Sequence, residues 1–394
     1  MAEFIFPYEL PTNWQWATLG DVCEYIKAGG DKPKDFSKCK TKSCNVPVVA
    51  NGIINNGIIG YTSKPKEKSG TITVSGRGTI GYSVLRDYNY YPIVRVIILS
   101  TNEKIFSHYL KFVIDYSSLQ GIGSSIPQLT IPMLKKFPIP LPPLDEQKRI
   151  VAVIESLFEK LDAAKSIVQK ILDGYELRRA AFLHKAFTGE LTKNFRAEHG
   201  FTLDDWQQKK LGDMFILKAG KNISATEISP VQNDTYQYPC FGGNGIRGFV
   251  GRYNREGKFP IIGRQGALCG NIKMATGKFY ATEHAVVVTY KCEMDSVFAE
   301  NYLSYLNLNQ YATATAQPGL AVSKILNVQM KYLPIAEQKE IVRVLESLLE
   351  KEQRTKEIAE KILSEIDVMK RTILARAFRG ELGTKYQKKF LEGL

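Results

Sequence analysis

LDEQKRIVAVIESLFEK (Leu144–Lys160) and IAEQKEIVRVLESLLEK (Ile335–Lys351) are one helix opening written twice. From Glu146 and Glu337 onward, 11 of 15 positions are identical, at an offset of 191 residues. AFTGEL (186–191) returns as AFRGEL (377–382) at the same offset, so no insertion separates the copies between these landmarks. Upstream the copies drift. Trp14 and Leu19-Gly20-Asp21 match Trp206 and Leu211-Gly212-Asp213, and Lys27-Ala28-Gly29 matches Lys218-Ala219-Gly220. NNGIIGY (55–61) echoes GNGIRGF (243–249), and SGRGTIG (75–81) echoes GRQGALCG (263–270). A period this long is not that of a solenoid. It describes a duplicated two-part unit, a divergent domain followed by a constant helix.

The constant part has a heptad period. Ile150, Ile154, Leu157, Leu161, Ala164, Val168, Ile171 and Tyr175 alternate spacings of four and three, which makes a narrow apolar seam. The second copy gives Ile341, Leu345, Leu348, Glu352, Thr355, Ala359, Ile362 and Ile366. Glu352 and Thr355 interrupt that seam and are expected to reach solvent, with a role in setting register as the alternative. Prolines 138, 140, 142 and 143 forbid a helix before the first copy. Asp145 and Glu146 suit a helix N-terminus, and Gly189 can close the other end. A helix from about 145 to 187 would run roughly 64 Å. If the second helix pairs with the first, the simplest arrangement is antiparallel. The expected fold is therefore α+β, with two mixed α/β domains, each followed by a long helix. The helices would form an antiparallel coiled coil with pseudo-twofold symmetry. The expected boundaries are 1–141, 142–192, 193–334 and 335–394.

Charge follows the same division. Of the formal net charge of +13, the segment 1–140 carries 16 basic against 10 acidic residues, and 193–334 carries 16 against 11. The helical segments are nearly neutral, with 8 against 8 in 141–192 and 13 against 11 in 335–394. A basic excess confined to two blocks points to two polyanion-binding surfaces. The chain has no run of about 18 apolar residues and no basic n-region at its start, so neither a membrane span nor a secretory signal is expected. Its six cysteines (23, 39, 44, 240, 269 and 292) form no CxxC pair and read as reduced thiols in a cytoplasm. Only Cys39 and Cys44 offer anything near a zinc spacing.

The variable domains read as short strands separated by Gly and Asn turns. Candidates are 46–50, 71–75, 80–85 and 91–99, then 237–241, 259–262, 269–275 and 284–290. Each block is followed by an apolar-faced helix (106–114 and 298–307) and a loop, QGIGSSIPQLT or ATAQPGLAVS. The loops have chemistry suited to DNA. Lys32, Lys34, Lys38, Lys40 and Lys42 alternate before a strand, and Lys64, Lys66 and Lys68 share one turn. Such lysines can meet phosphates, as can Lys27, Lys218 and Lys221. Arg reads guanine and Asn or Gln reads adenine. Candidate base readers are therefore Asn51, Asn55, Asn56 and Arg77 in the first domain. Their counterparts in the second are Asn244, Arg247, Arg264 and Gln265.

Catalytic motifs are missing. No GxxxxGK[ST], [DN]PP[YF], HExxH or GxSxG occurs, and the histidines at 108, 184, 199 and 284 are scattered. His284, before a strand-like run, reads as a core or strand-edge residue. Such a chain is expected to recognise rather than to catalyse. A coiled-coil scaffold whose basic domains bind acidic proteins, and an enzyme with an unfamiliar active site, remain alternatives at this level.

The pattern resembles the DNA specificity subunits of type I restriction-modification systems. The resemblance rests on the junction IPLPPLDEQKRIVAVIE, its return as YLPIAEQKEIVRVLE, and the AFTGEL and AFRGEL helix ends, and it spans nearly the whole chain. It implies that each variable domain is a target recognition domain for one half of a split, asymmetric DNA sequence. The helices would act as a ruler for the gap and would bind modification subunits, usually two. Restriction subunits would join if the system is complete. S-adenosylmethionine, ATP and Mg are expected on those partners, with no cofactor on this chain. The second junction departs slightly, with one proline where the first has four.

Overall fold

The computed structural model describes residues 8–117, 128–266, 268–313 and 318–382. Most of QGIGSSIPQLT and the first four residues of ATAQPGLAVS lie outside them. The chain divides into two compact units, Met1–Gln169 with Lys361–Leu394, and Lys170–Glu360. Each unit therefore takes part of both long helices, whereas the expected boundaries followed the ends of those helices.

The first unit opens with β1 (Gln15–Thr18), α1 (Leu19–Val22), β2 (Cys23–Ala28), β3 (Val46–Val49) and β4 (Ile58–Thr62). It continues through β5 (Thr71–Ser75), β6 (Ser83–Arg86), β7 (Tyr91–Pro92) and β8 (Val96–Thr101). Then come α2 (Ser107–Tyr116), α3 (Ile131–Lys135), β9 (Pro138–Leu141) and α4 (Leu144–Asp173). The second unit holds α5 (Tyr175–Thr188), α6 (Lys193–His199), β10 (Gln207–Lys210), α7 (Leu211–Met214) and β11 (Phe215–Ala219). It adds β12 (Tyr238–Gly242), β13 (Gly245–Val250), β14 (Arg255–Gly263), β15 (Ile272–Ala281) and β16 (Ala285–Tyr290). It ends with α8 (Ser296–Tyr305), α9 (Val322–Ile325), β17 (Gln329–Tyr332) and α10 (Ile335–Phe378), whose last turns belong to the first unit.

The two units share one strand plan. In the first, the order is β2-β8-β5-β6, beside a second sheet β4-β3-β7. In the second, a single six-stranded sheet runs β11-β16-β14-β15-β12-β13. The difference lies in one strand. β15 is ten residues long and pairs antiparallel with β14 and parallel with β12. The first unit divides those tasks between β6 and β7. The expected strand 91–99 is broken there because Arg95 takes a left-handed backbone at φ 74°.

A two-stranded ladder closes each variable domain just before its long helix, β1 with β9 and β10 with β17. Pro138 and Pro140 sit at alternate positions of β9, opposite Thr18 and Trp16. Their missing N–H groups therefore face the same, unpaired side.

The repeated Glu-Gln now has a structural reason. Gln147 Oε1 accepts from the backbone N–H of Phe106, the N-cap of α2 (2.7 Å), and its amide donates to the carbonyls of Lys104 and Pro142. Gln338 Oε1 accepts from the N–H of Asp295, the N-cap of α8 (3.0 Å), and its amide donates to the Leu333 carbonyl. Each buried glutamine thus ties a long helix to the start of its domain's own helix. In the first core, Ile150, Val151 and Ile154 pack with Ala377, Phe378, Tyr109 and Leu110. In the second, Ile341 and Leu345 pack with Ala186, Phe187, Phe298 and Tyr302. The glycine of AFTGEL and AFRGEL ends a helix in the left-handed region, Gly189 at φ 90° and Gly380 at φ 76°, where a Cβ is disfavoured.

Two expectations about the helices need correction. The helix expected from 145 to 187 is interrupted at Gly174, which separates α4 from α5; glycine is the weakest helix former after proline. Glu352 does not reach solvent. It is 9% exposed and accepts from Arg178 Nε at 2.7 Å. Thr355 is exposed and its hydroxyl donates to the Lys351 carbonyl. Of the expected seam, Ile150, Ile154, Val168, Ile341, Leu345 and Ile366 are buried, and Leu157, Leu161 and Leu348 are half-buried. Ile171 and Ile362 are exposed, because Ile150, Ile154, Ile341 and Leu345 turn into the domain cores and the seam does not keep one face covered along its length.

Candidate nucleic-acid interface

In the first unit the two lysine runs are brought to one place by Asp35. Its carboxylate accepts from Thr62 Oγ1 (2.5 Å) and Ser63 N (2.8 Å), at the foot of the turn holding Lys64, Lys66 and Lys68. These bonds, Ser63 first, hold its carboxyl well below the usual range. Ser37 exchanges backbone bonds with Tyr61 at 2.8 Å in both directions, which fixes the same junction. Lys32, Lys34, Lys38, Lys40, Lys42, Lys64 and Lys66 all keep their side chains exposed. Lys32 lies over the Phe36 ring at 3.5 Å, and Lys66 over Tyr91 at 5.6 Å. Lys27 is half-exposed, and its ammonium pairs with the buried Glu67 carboxylate at 2.7 Å.

The amide-bearing loops of this unit are also joined. Asn51 donates to the Arg77 carbonyl at 3.1 Å, linking the turn before β4 to the loop after β5. Asn51 Oδ1 and Arg77 Nε are buried, and neither has a hydrogen-bond partner among the described residues. Asn55 and Asn56 are exposed on left-handed backbone, at φ 48° and 51°. Asn56 is held twice, by Tyr82 Oη on its side chain and by Arg86 on its carbonyl, both at 2.8 Å. Arg86, 2% exposed, was not singled out in the sequence. It also bonds Thr73 and Tyr88 and so braces the asparagine turn from behind.

The second unit carries a concavity on its loops. Gly242, Gly243, Asn244, Gly245, Ile246, Arg247, Gln265, Gly266 and His284 line a cleft of about 520 Å³. Its two walls are the β12–β13 turn and the loop after β14. They touch so closely that a Cβ on Gly263 would lie 1.9 Å from the Gly243 carbonyl oxygen. Only glycine permits that approach. Arg264 and Gln265 follow, held by backbone bonds from Arg264 N to the His284 carbonyl and from Leu320 N to the Arg264 carbonyl, at 2.9 and 2.8 Å. Arg264, Gln265 and His284 also border a neighbouring cleft of about 430 Å³ with Glu283 and Thr313. Asn244, Arg247, Arg264, Lys218 and Lys221 are exposed.

Of the two readings of His284, core or strand edge, the structure gives the strand edge: it is a half-exposed cleft wall residue whose Nε2 lies 3.2 Å from the Glu283 carboxylate. Its position one residue before β16 was the available signal. Lys273 stands beside the turn, 3.7 Å from where a Gly245 Cβ would be. Among the described residues no three His, Cys, Asp or Glu side chains gather as a metal site. Cys44, one half of the only zinc-like spacing, donates its thiol to the Asp35 carbonyl.

The loops of each unit offer amides, guanidinium groups and ammonium groups, which is the chemistry of phosphate and base-edge contact. The comparison with known proteins agrees. The sequence profile of the type I restriction modification DNA specificity domain matches residues 11–172 and again 203–364. The chain belongs to the type I restriction-modification DNA specificity family. It is 32% identical over 288 residues to the EcoprrI specificity subunit of Escherichia coli, covering 70% of each chain. It is 25% identical over 334 residues to the EcoKI specificity subunit of Escherichia coli K12, covering 74% of this chain and 68% of that one. Among solved structures, the HsdS subunit of Thermoanaerobacter tengcongensis aligns with a TM-score of 0.60 at 19% identity, over 95% of this chain and 99% of that one. A chain solved in work on complex assembly and conformational transition of the type I R-M system aligns with a TM-score of 0.72 at 20% identity. That match covers 95% of this chain and all of the other. The fold is therefore that of these subunits, and each profile match takes in one of the two variable domains. The chain is a specificity subunit with two DNA-recognition domains, and such subunits recognise DNA without catalysing its modification.

Proposed function

We propose that each variable domain reads one half of a bipartite, asymmetric DNA target, and that the long helices set the unspecified gap between the halves. The observation that carries this is the unequal divergence of the two copies. The helix openings are 11 of 15 identical, while the candidate base-reading residues differ: Asn51, Asn55, Asn56 and Arg77 on one side, Asn244, Arg247, Arg264 and Gln265 on the other. Identical readers would demand a palindrome; different readers demand two unlike half-sites.

The gap-setting role rests on an antiparallel pairing of the helices, read within each unit. In the first, Lys370 bonds Asp162 and Lys165 bonds Asp367, at 2.5 and 3.1 Å. In the second, Tyr175 bonds Gln353 and Arg178 bonds Glu352, at 2.9 and 2.7 Å. A step forward along one helix is a step backward along the other in both cases. The apolar side chains left exposed on these helices suit docking by modification subunits. They include Ile167, Val368 and Met369 in the first unit and Leu177 and Ile358 in the second. Two such subunits would follow from the two copies, with a restriction subunit added where the system has one. Methyl transfer from S-adenosylmethionine and ATP- and Mg-dependent steps belong to those partners, on cytoplasmic DNA.

Selection from a randomised duplex pool, with and without a co-expressed modification subunit, tests this. A gapped, asymmetric motif sharpened by the partner is the expected outcome. A pool that stays random at low salt in both arms overturns it.

A further inference from the structure

The backbone bonds of the two variable domains give a register that their sequences hide. In the first, Val96 N–H donates to the Ile93 carbonyl (3.3 Å), Gly76 N–H to the Arg95 carbonyl (2.9 Å) and Leu129 N–H to the Gly76 carbonyl (2.9 Å). In the second, Ala285 donates to Thr282 (3.0 Å), Arg264 to His284 (2.9 Å) and Leu320 to Arg264 (2.8 Å) through the same groups. Arg95 and His284 therefore hold the same structural position, one residue before β8 or β16. Gly76 and Arg264 share another, so Arg77 corresponds to Gln265. The glycines agree, with Gly78 and Gly81 (φ 73° and 80°) matching Gly266 and Gly270 (φ 91° and 87°).

Each unit thus sets two polar side chains on one cleft. Gln265 and His284 line the cleft of about 520 Å³. Arg77 and Arg95 line one of about 350 Å³ in the first unit, with Gly76, Val94 and Leu129. Arg95 is exposed, so it adds nothing to the core, and its φ of 74° is one that glycine or asparagine would fit better. A strained backbone kept on a cleft wall is a mark of a functional side chain. In the second unit the Glu283 carboxylate lies 3.2 Å from His284 Nε2. Val94 takes the place of Glu283 in the first unit and offers Arg95 no such anchor.

On the half-site reading above, we propose that Arg95 and His284 are specificity-determining residues, each reading the base pair beside the one met by Arg77 or Gln265. Arg95 presents two N–H donors from one guanidinium, which match O6 and N7 of a guanine. His284 has Nε2 turned to Glu283, which leaves Nδ1 for a single bond to a base edge. The first half-site is therefore held more strongly at this position than the second.

Selection from a randomised duplex pool, by the chain together with its modification subunit, tests the assignment. Arg95→Gly suits the backbone and removes the guanidinium. It should lower the preference for guanine at one position of the first half-site by roughly 5- to 100-fold and leave the second half-site unchanged. Arg95→Lys keeps the charge but not the fork, so it should lose the same preference while affinity at low salt stays within about twofold. His284→Ala should relax one position of the second half-site by about two- to tenfold. A gapped motif that both Arg95 variants leave intact overturns the role of Arg95 while the half-site reading stands, and one that His284→Ala leaves intact does the same for His284. Arg95→Gly weakening all sequences alike would make Arg95 a phosphate contact and also overturns its role. A pool that stays random with the unmodified chain overturns both the assignment and the half-site reading.

Discussion

Arg196 and Glu337, 141 residues apart in sequence, meet at 2.6 Å with both side chains buried, and the glutamate also takes the indole N–H of Trp206. This contact joins three parts of the second unit: the helix after AFTGEL, the residue that leads into β10, and the start of α10. Burying a charged pair is costly, and removing one partner is costlier still, because the other is left without compensation. Arg196→Met should therefore destabilise the second unit by about 3 kcal/mol or more, read by urea unfolding. Adding Glu337→Gln to it should recover part of the loss; a loss of under about 1 kcal/mol for the single variant would mean the pair is not what holds these elements.

The glutamines beside the two glutamates give a second expectation. Gln147→Ala removes the acceptor for Phe106 N–H and the donor for two carbonyls. Each buried group left unpaired costs roughly 1–3 kcal/mol. Gln338→Ala removes the equivalent bonds to Asp295 and Leu333. Hydrogen exchange should show α2 opening more readily in the first variant and α8 in the second. Exchange that rises equally everywhere would point to a general loss of stability instead.

Much of this architecture was legible because its signals are local. The heptad spacing marked the helices, the two glycines marked their ends, and strand 71–75 was located to the residue. The β-strands at 23–28, 58–62, 215–219 and 245–250 were not seen, nor were those at 15–18, 138–141, 207–210 and 329–332. The last four are each four residues long, and β9 is half proline, so none of them has a detectable alternation. Glu352 looked like a solvent residue because its partner, Arg178, is 174 positions away. Arg86 was missed for a similar reason. A buried arginine is recognisable only once Thr73, Tyr88 and Asn56 are seen around it. The clefts themselves rest on glycine contacts such as Gly243 with Gly263, which spacing alone does not announce.

The lysine loops should respond to Asp35. Its carboxyl is held below the ordinary value of 3.8 by bonds that require the charged form. The stabilisation is present above 3.8 and is lost as pH falls through the depressed folded value. At neutral pH, Asp35→Asn should mimic that loss. Exchange at 35–45 and 61–68 should rise, and DNA affinity should fall with the motif unchanged. A changed motif would mean that these loops read bases. Lys34→Ala or Lys64→Ala should lower the salt slope of binding by about one phosphate equivalent each.

The candidate base-reading residues should separate by half-site. Arg247→Ala or Gln265→Ala should relax the preference at one or two positions of one half of the target, by roughly 1–3 kcal/mol per lost bidentate contact. The other half should be unaffected. Asn51→Ala or Arg77→Ala should do the reverse. Gly263→Ala serves as the geometric counterpart, since its Cβ would sit 1.9 Å from the Gly243 carbonyl and force the two walls of the second cleft apart. It should weaken the same half-site as Arg247→Ala while touching no base itself. Selected motifs from the four side-chain variants and the glycine variant decide the matter together. Two clusters of effect, one per half-site, are expected. Effects spread evenly over both halves would show that the two sets of loop residues are not independent readers.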